Sequence, residues 1–450
     1  MPSITRASGL RRALVGLVAS LIVVASAIAP VGVAAAEPTN MVLVWNENAV
    51  SVINNAPTAN PAGLGNAPPL APLHLAMVQS AIYDAVNAID KGHRPYLDGL
   101  AAPSTASKAA AVAQAAHDVL LGLMPTTPQA VTDRVNSLLA DSLTLVDAGQ
   151  AKTDGITIGA AAAAAMLAAR SHDGRFDVEP FPTSNDVGKW RTVAPLSNNV
   201  FGQFATVTPM ALKSPDQFRT EGPITLDITG PAYAAEFNEV KSLGAQSGSS
   251  RTPEQTLLAG FVFGNPFLFM NKGLRDIAGA QGMSTVDQAR LFAQTSMASA
   301  DALIACWNDK RNWLSWRPQT AIREAANDGN PATVADPDWL SLFPTPGYPD
   351  QPSGYNCYTQ GLWYSARLFF GTDQMNFKLT SPGAPLNLPT VPVAVPGSTR
   401  TYTRFSDVAR DTIEGRILTG FHFRTADVAG AWIGKKAAQW VDKHEFQPID

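Results

Sequence analysis

Three short stretches in the C-terminal half carry residue types suited to gripping an oxyanion. The first is Lys310-Arg311-Asn312-Trp313-Leu314-Ser315-Trp316-Arg317-Pro318. If the helix through Trp307 continues, Lys310 and Arg317 lie seven residues apart, close to two turns, and share a face. The second is Pro352-Ser353-Gly354-Tyr355, at the opening of a helical stretch. Backbone N–H groups at a helix start, with a hydroxyl and a glycine that admits close approach, form a phosphate-type site. The third is Arg416-Ile417-Leu418-Thr419-Gly420-Phe421-His422, where an Arg and a His are six apart, again roughly on one helical face. An oxyanion with several negative charges needs several fixed donors. Arg supplies a planar fork that Lys cannot, and a neutral imidazole nitrogen can supply an axial bond. Each piece alone has an ordinary explanation: a solvated helix face, a turn tripeptide, a capping or packed histidine. Their joint occurrence is what carries weight.

The elements that must position these residues read as helices. Between Pro72 and Ile89, apolar residues at Leu75, Val78, Ile82, Ala85, Val86 and Ile89 make one amphipathic stripe. Helix-favouring, Ala-rich composition continues at 109–123, 129–145 and 155–169. Helical patterns resume at 253–267, 285–307, 358–370, 405–418 and 428–440. Residues 174–232 are rich in Pro, Gly and Thr and read as a long irregular connection. A second irregular segment is expected at Ser381–Gly397, where five prolines forbid a regular helix. No strand-rich region appears. The expectation is an all-α protein of two packed helical bundles, 37–250 and 251–450, with the oxyanion residues in the second and one core that the two can share.

The chain has 450 residues, 46% hydrophobic and 16% charged, with a formal net charge of −4. Its apolar content suffices for a large core, and its low charge density and aromatics exclude disorder. Two cysteines exclude a disulfide scaffold, and the excess of acids over bases argues against nucleic-acid binding. Residues 1–36 read as a secretory signal: Arg6, Arg11 and Arg12, an apolar run from Ala13 to Ala29, then Ala34-Ala35-Ala36. A secreted protein without stable membrane insertion is expected, and the Arg11-Arg12 pair is compatible with a twin-arginine route. Removal of the signal leaves 30 bases against 37 acids, a net charge of −7.

The order Lys-x6-Arg-Pro, Pro-Ser-Gly, Arg-x5-His resembles the vanadium-dependent haloperoxidases and the related type 2 phosphatidic-acid-phosphatase-like acid phosphatases. Val44-Trp45-Asn46, 76–87 and 316–323 resemble the bacterial secreted branch. The resemblance implies a pair of four-helix bundles and a vanadate cofactor, or phosphate in the same place. It implies that Lys310, Arg317 and Arg416 hold equatorial oxygens and that Ser353 and the Gly354 N–H add hydrogen bonds. His422 would be the ligand to vanadium, or the nucleophile that takes a phosphoryl group. Hydrogen peroxide with a halide or small organic substrate would be the partners.

The sequence departs from that pattern at Tyr355, where the family has an acid–base His. An unperturbed phenol has a pKa of about 10, far from the near-neutral value of imidazole. Gly415 replaces a Ser before the Arg, and Asp427 stands five residues after His422, one more than the pattern has. Asp427 is read as the N-cap of the last helix. The departures leave three functions to weigh: an impaired or specialised vanadate-dependent peroxidase, a phosphomonoesterase using His422, and a non-catalytic oxyanion-binding homologue. Cys306 and Cys357 each lie one helical turn from a cage residue, so their thiols are expected close together, as a disulfide or as two buried thiols. Tyr348, Trp313 and Trp316 flank the motifs as pocket or core residues. Helical bundles of this size often associate, which leaves a homo-oligomer open.

Overall fold

The computed structural model describes residues 40–55, 68–123, 127–194, 198–384 and 394–449. The signal-like segment 1–36 lies outside the described residues. Thirteen α-helices are found among them: α1 Met41–Asn55, α2 Leu70–Asp90, α3 Lys108–Gly122, α4 Gln129–Thr144, α5 Gln150–Ala169, α6 Pro231–Leu243, α7 Pro253–Phe263, α8 Pro266–Ala280, α9 Thr285–Trp313, α10 Pro318–Glu324, α11 Gly354–Phe370, α12 Phe405–Leu418 and α13 Arg424–His444. The described residues are all-α apart from one hairpin. None of these helices is long and apolar enough to cross a membrane.

One hydrophobic cluster runs from Met41 to Phe446 and joins both halves, with a smaller one around Tyr233, Trp316, Trp339 and Phe423. The 29-residue α9 is the central strut and packs on α2, α11 and α13. The stripe expected for 72–89 widens to the whole helix: every residue of α2 from Leu70 to Ile89 is buried. The alanines between the large side chains let neighbours approach from every side, as in a helix apolar all round. The described residues of the connection 174–232 are irregular apart from two short 3₁₀ turns, and α6 begins at its end, at Pro231. It is pinned where the buried Asp301 accepts the N–H groups of Met210, Ala211 and Leu212 at 2.6–2.8 Å.

The second expected irregular segment, 381–397, is corrected at its two ends, which are strand, while 385–393 lie outside the described residues. β1 Gln374–Ala384 and β2 Val395–Arg404 form an antiparallel hairpin, with Phe377 opposite Tyr402 and Gly383 opposite Pro396. Proline excludes a helix, but a two-stranded sheet has only edge strands, which tolerate it. Phe377 and Leu379 alternate inward, and Phe377 stacks on Trp363 of α11 at 5.0 Å. Four further helices, α1, α6, α8 and the short α10, arise where no helix is expected. At 264–265 the helix expected over 253–267 breaks, because Asn265 caps α8.

Candidate oxyanion site

Two of the helical-face expectations fail, yet the side chains converge. Helix α9 ends at Trp313 and Leu314 takes a left-handed conformation (φ 50°), so Arg317 is not on α9 but is the N-cap of α10. Likewise α12 ends at Leu418, and His422 follows the turn at Gly420 (φ 78°). Chain reversals bring the pairs together, where spacing suggested a shared face.

Lys310 is fully buried and donates from Nζ to the carbonyls of Pro349 (2.7 Å) and Asp350 (2.8 Å). Burial lowers its pKa to about 8, and Arg317 adds repulsion. Arg317, also fully buried, donates from Nε to Tyr348 O (2.9 Å) and from Nη1 to Phe421 O (3.0 Å). Its Nη2 has no partner among the described residues, and neither has Nε of Arg416. The Arg416 guanidinium lies 4.9 Å from the Tyr355 ring centre and 4.6 Å from that of Phe421. His422 is buried, and its Nδ1 is 2.7 Å from Asp350 Oδ1. Burial, then the charges of Arg317, Arg416 and Lys310, push its pKa well below the usual imidazole value, so the ring is neutral. Burial raises the Asp350 carboxyl to about 7 against the pull of Arg317 and Lys310.

Ser353 is the N-cap of α11, as expected, but its hydroxyl takes no N–H of that helix. The first N–H groups of a helix have no intrahelical acceptor. Gly354 is required by contact: a Cβ there would meet the Trp307 ring at 2.7 Å. Asp427 is not an N-cap. Helix α13 starts three residues earlier with Phe423 as its N-cap, and the fully buried Asp427 accepts from Asn356 Nδ2 at 2.8 Å. Asn356 in turn accepts from Thr412 at 2.8 Å, so this polar chain ties α11, α12 and α13. Burial holds the Asp427 carboxyl well above its ordinary pKa, against the pull of neighbouring Ser353, Arg416 and Asn356.

Cys306 and Cys357 are close, as spacing predicts, but are free buried thiols, hydrogen-bonded to each other. Over the site lies a cavity of about 470 Å³ lined by Phe263, Leu303, Trp307, Tyr348, Tyr355 and Phe421, among others, with Arg416 in its wall. Tyr348 therefore joins the cavity, whereas Trp316 belongs to the smaller core cluster. The Tyr355 hydroxyl is buried without a partner. Burial raises its pKa further above the ordinary phenol value, against the charge of Arg416. Sequence reasoning missed Asp350 and Trp307. An acid three residues before Ser353, between two prolines, was the available signal for the first.

Residues 290–450 match the VCPO second helical-bundle domain. Vanadium chloroperoxidase of Curvularia inaequalis is 29% identical over 156 residues, 28% of this chain and 25% of that protein. The chain thus spans about a quarter of that relative's length. A bacterial vanadium-dependent iodoperoxidase superposes with a TM-score of 0.69 at 20% identity, covering 91% of this chain and 97% of that one. The holo-type bacterial vanadium-dependent chloroperoxidase gives 0.70 at 18% identity, over 89% and 96%. The chain thus shares the fold of these solved structures, and residues 290–450 are similar to the second helical bundle of the vanadium chloroperoxidases.

Proposed function

We propose that this protein is a vanadate-dependent peroxidase of low halogenating activity, specialised for an apolar or aromatic organic substrate. The observation that carries the reading is the set of buried donors left over once the protein's own hydrogen bonds are counted. Arg317 Nη2 and Arg416 Nε, both interior cationic N–H donors without a partner, are what a bound oxyanion would satisfy. Lys310, Arg317 and Arg416 would hold its oxygens, with Ser353 and the Gly354 N–H adding to them, and His422 would be the protein's direct ligand to it. Vanadate bound there would activate hydrogen peroxide for oxidation of a halide or an organic acceptor. A phosphate would fit the same donors.

Tyr355 occupies the position at which an acid–base His is expected. Its raised pKa makes it a donor and not a base, so proton transfer is slowed while the anion is still held. The aromatic lining of the cavity supports the organic specialisation, since flat apolar molecules fill such walls and a hydrated halide gains little from them. Residues 1–36, read from the sequence as an export signal, would make this a secreted activity.

The test is peroxide-driven bromination of a phenolic dye with and without orthovanadate. The parent is expected to turn over slowly and only with vanadate, and Tyr355→His to be faster by about 10²–10⁴-fold. A folded, vanadate-loaded parent and variant that are both silent overturn the reading. The Lys310 pKa of about 8 adds a pH signature. A lysine whose pKa is depressed loses its charge as pH rises through that value, so phosphate affinity by calorimetry falls above pH 8. A flat profile to pH 10 would remove Lys310 from the cage.

A second reading is favoured by the Asp350–His422 contact, which suits an imidazole nucleophile. Phosphoryl transfer to His422 predicts cleavage of nitrophenyl phosphate with inhibition by vanadate. Cleavage indifferent to vanadate would assign that activity elsewhere.

A further inference from the structure

We propose that Asp350 is the positioning residue of His422, fixing the tautomer in which Nε2 keeps its lone pair; this rests on the reading of His422 as the axial ligand or nucleophile. A neutral imidazole has one N–H, and whichever nitrogen carries it is set by the partner of the other. Asp350 Oδ1 lies 2.7 Å from Nδ1, with both side chains buried, so the carboxyl, when ionised, can only accept and holds the proton on that nitrogen. Nε2 is then the atom left to bond a phosphorus or vanadium centre.

The carboxylate is held from its own backbone. Asp350 N donates to Ser315 O at 3.0 Å, Gln351 N donates to Ser315 Oγ at 3.0 Å, and Lys310 clasps the carbonyls of Pro349 and Asp350. Arg317 Nη1 stands 3.8 Å from Asp350 Oδ1 and 3.2–3.3 Å from both ring nitrogens, which presses the pair together. Asp427, the acid nearest His422 in sequence, is committed to Asn356 instead. His74 supplies the contrast within the same molecule. It too is fully buried, and both of its ring nitrogens lack partners, so nothing selects its tautomer.

The experiment uses full-length mature protein with ¹⁵N-labelled histidine, without vanadate, and long-range proton–nitrogen correlation of the ring nitrogens. The parent is expected to show His422 protonated at Nδ1 and bare at Nε2. In Asp350→Ala that pattern is lost, and orthovanadate affinity by calorimetry falls at least tenfold. Asp350→Glu partly restores both. Asp350→Asn keeps the volume and reports even if Asp350→Ala fails to fold; its amide can donate to Nδ1 and so move the ring proton to Nε2. A parent carrying the proton on Nε2, or variants that keep the parent pattern, overturn the proposal. Loss of the pattern in variants of a parent that binds no orthovanadate leaves Asp350 as positioning residue and removes the vanadate reading instead.

Discussion

At the start of α3, Ser107 donates its N–H to Ala151 O at 2.8 Å, and the i,i+4 pair Gly155 and Gly159 of α5 lies against Ser107 and Ala111. At the start of α11, Ser353 donates to Ala426 O at 2.8 Å, and Gly430 and Gly434 of α13 lie against Ser353 and Cys357. A Cβ would meet the serine carbonyl at 2.3 Å in both cases. The same seam is therefore built twice, once in each half. The difference is the serine hydroxyl. Ser107 accepts from Ala110 N at 3.2 Å, an ordinary cap, whereas the Ser353 hydroxyl takes no N–H of its helix and is held instead by Asn356 Nδ2 at 3.4 Å and by Asp427. Around the second seam stand Lys310, Arg317 and Arg416; at the first, Lys108 is paired to Asp90 at 2.7 Å and Lys152 donates to Leu143 O at 2.6 Å. On the proposed function, the second helix start would serve as an anion site because its own cap is withdrawn and cations are walled in beside it.

The comparison can be broken at several points. The largest effect is expected from the glycines. Gly430→Ala and Gly155→Ala each overpack a backbone contact, and each should lower unfolding free energy by about 1–3 kcal/mol in urea titrations. Only Gly430→Ala should also abolish phosphate binding in calorimetry at a temperature where both variants are folded. Equal loss in Gly155→Ala would show that the site depends on general packing alone. Next come the serines, whose effects should be exchanged. Ser353→Ala removes a donor to the anion and should weaken phosphate binding about tenfold or more, with a smaller change in stability. Ser107→Ala removes a real cap and should cost about 1 kcal/mol of stability, with phosphate affinity unchanged. A stability loss from Ser353→Ala as large as that from Ser107→Ala would mean that both hydroxyls act as caps.

Much of the second seam is legible in the sequence, because its residue types are chemically pointed and their order is distinctive. The helices are legible where apolar spacing runs long, as in α9 and α12. What escapes is set by chain reversal. Spacing places Arg317 and His422 on helices that in fact end first, at Leu314 and Gly420, since a left-handed residue has no periodic signature. The hairpin escapes because proline rules out a helix and leaves open what replaces it. Asp350 escapes because a loop carboxylate gains meaning only from the imidazole that the fold sets against it, 72 positions later. Asp427 reads as a cap for the converse reason: the helix it seems to open starts three residues before it.

The depth of the cations in the site has a consequence for its response to salt. Lys310 and Arg317 are wholly buried, and Arg416 is 7% exposed. Mobile ions screen charges that they can surround, with a Debye length of about 8 Å at physiological ionic strength. Sodium chloride should therefore blunt the long-range attraction that brings an anion to the mouth of the cavity, yet hardly loosen one already seated. Arrival would depend on ionic strength and retention would not, so a loaded protein could be carried through brine and remain loaded.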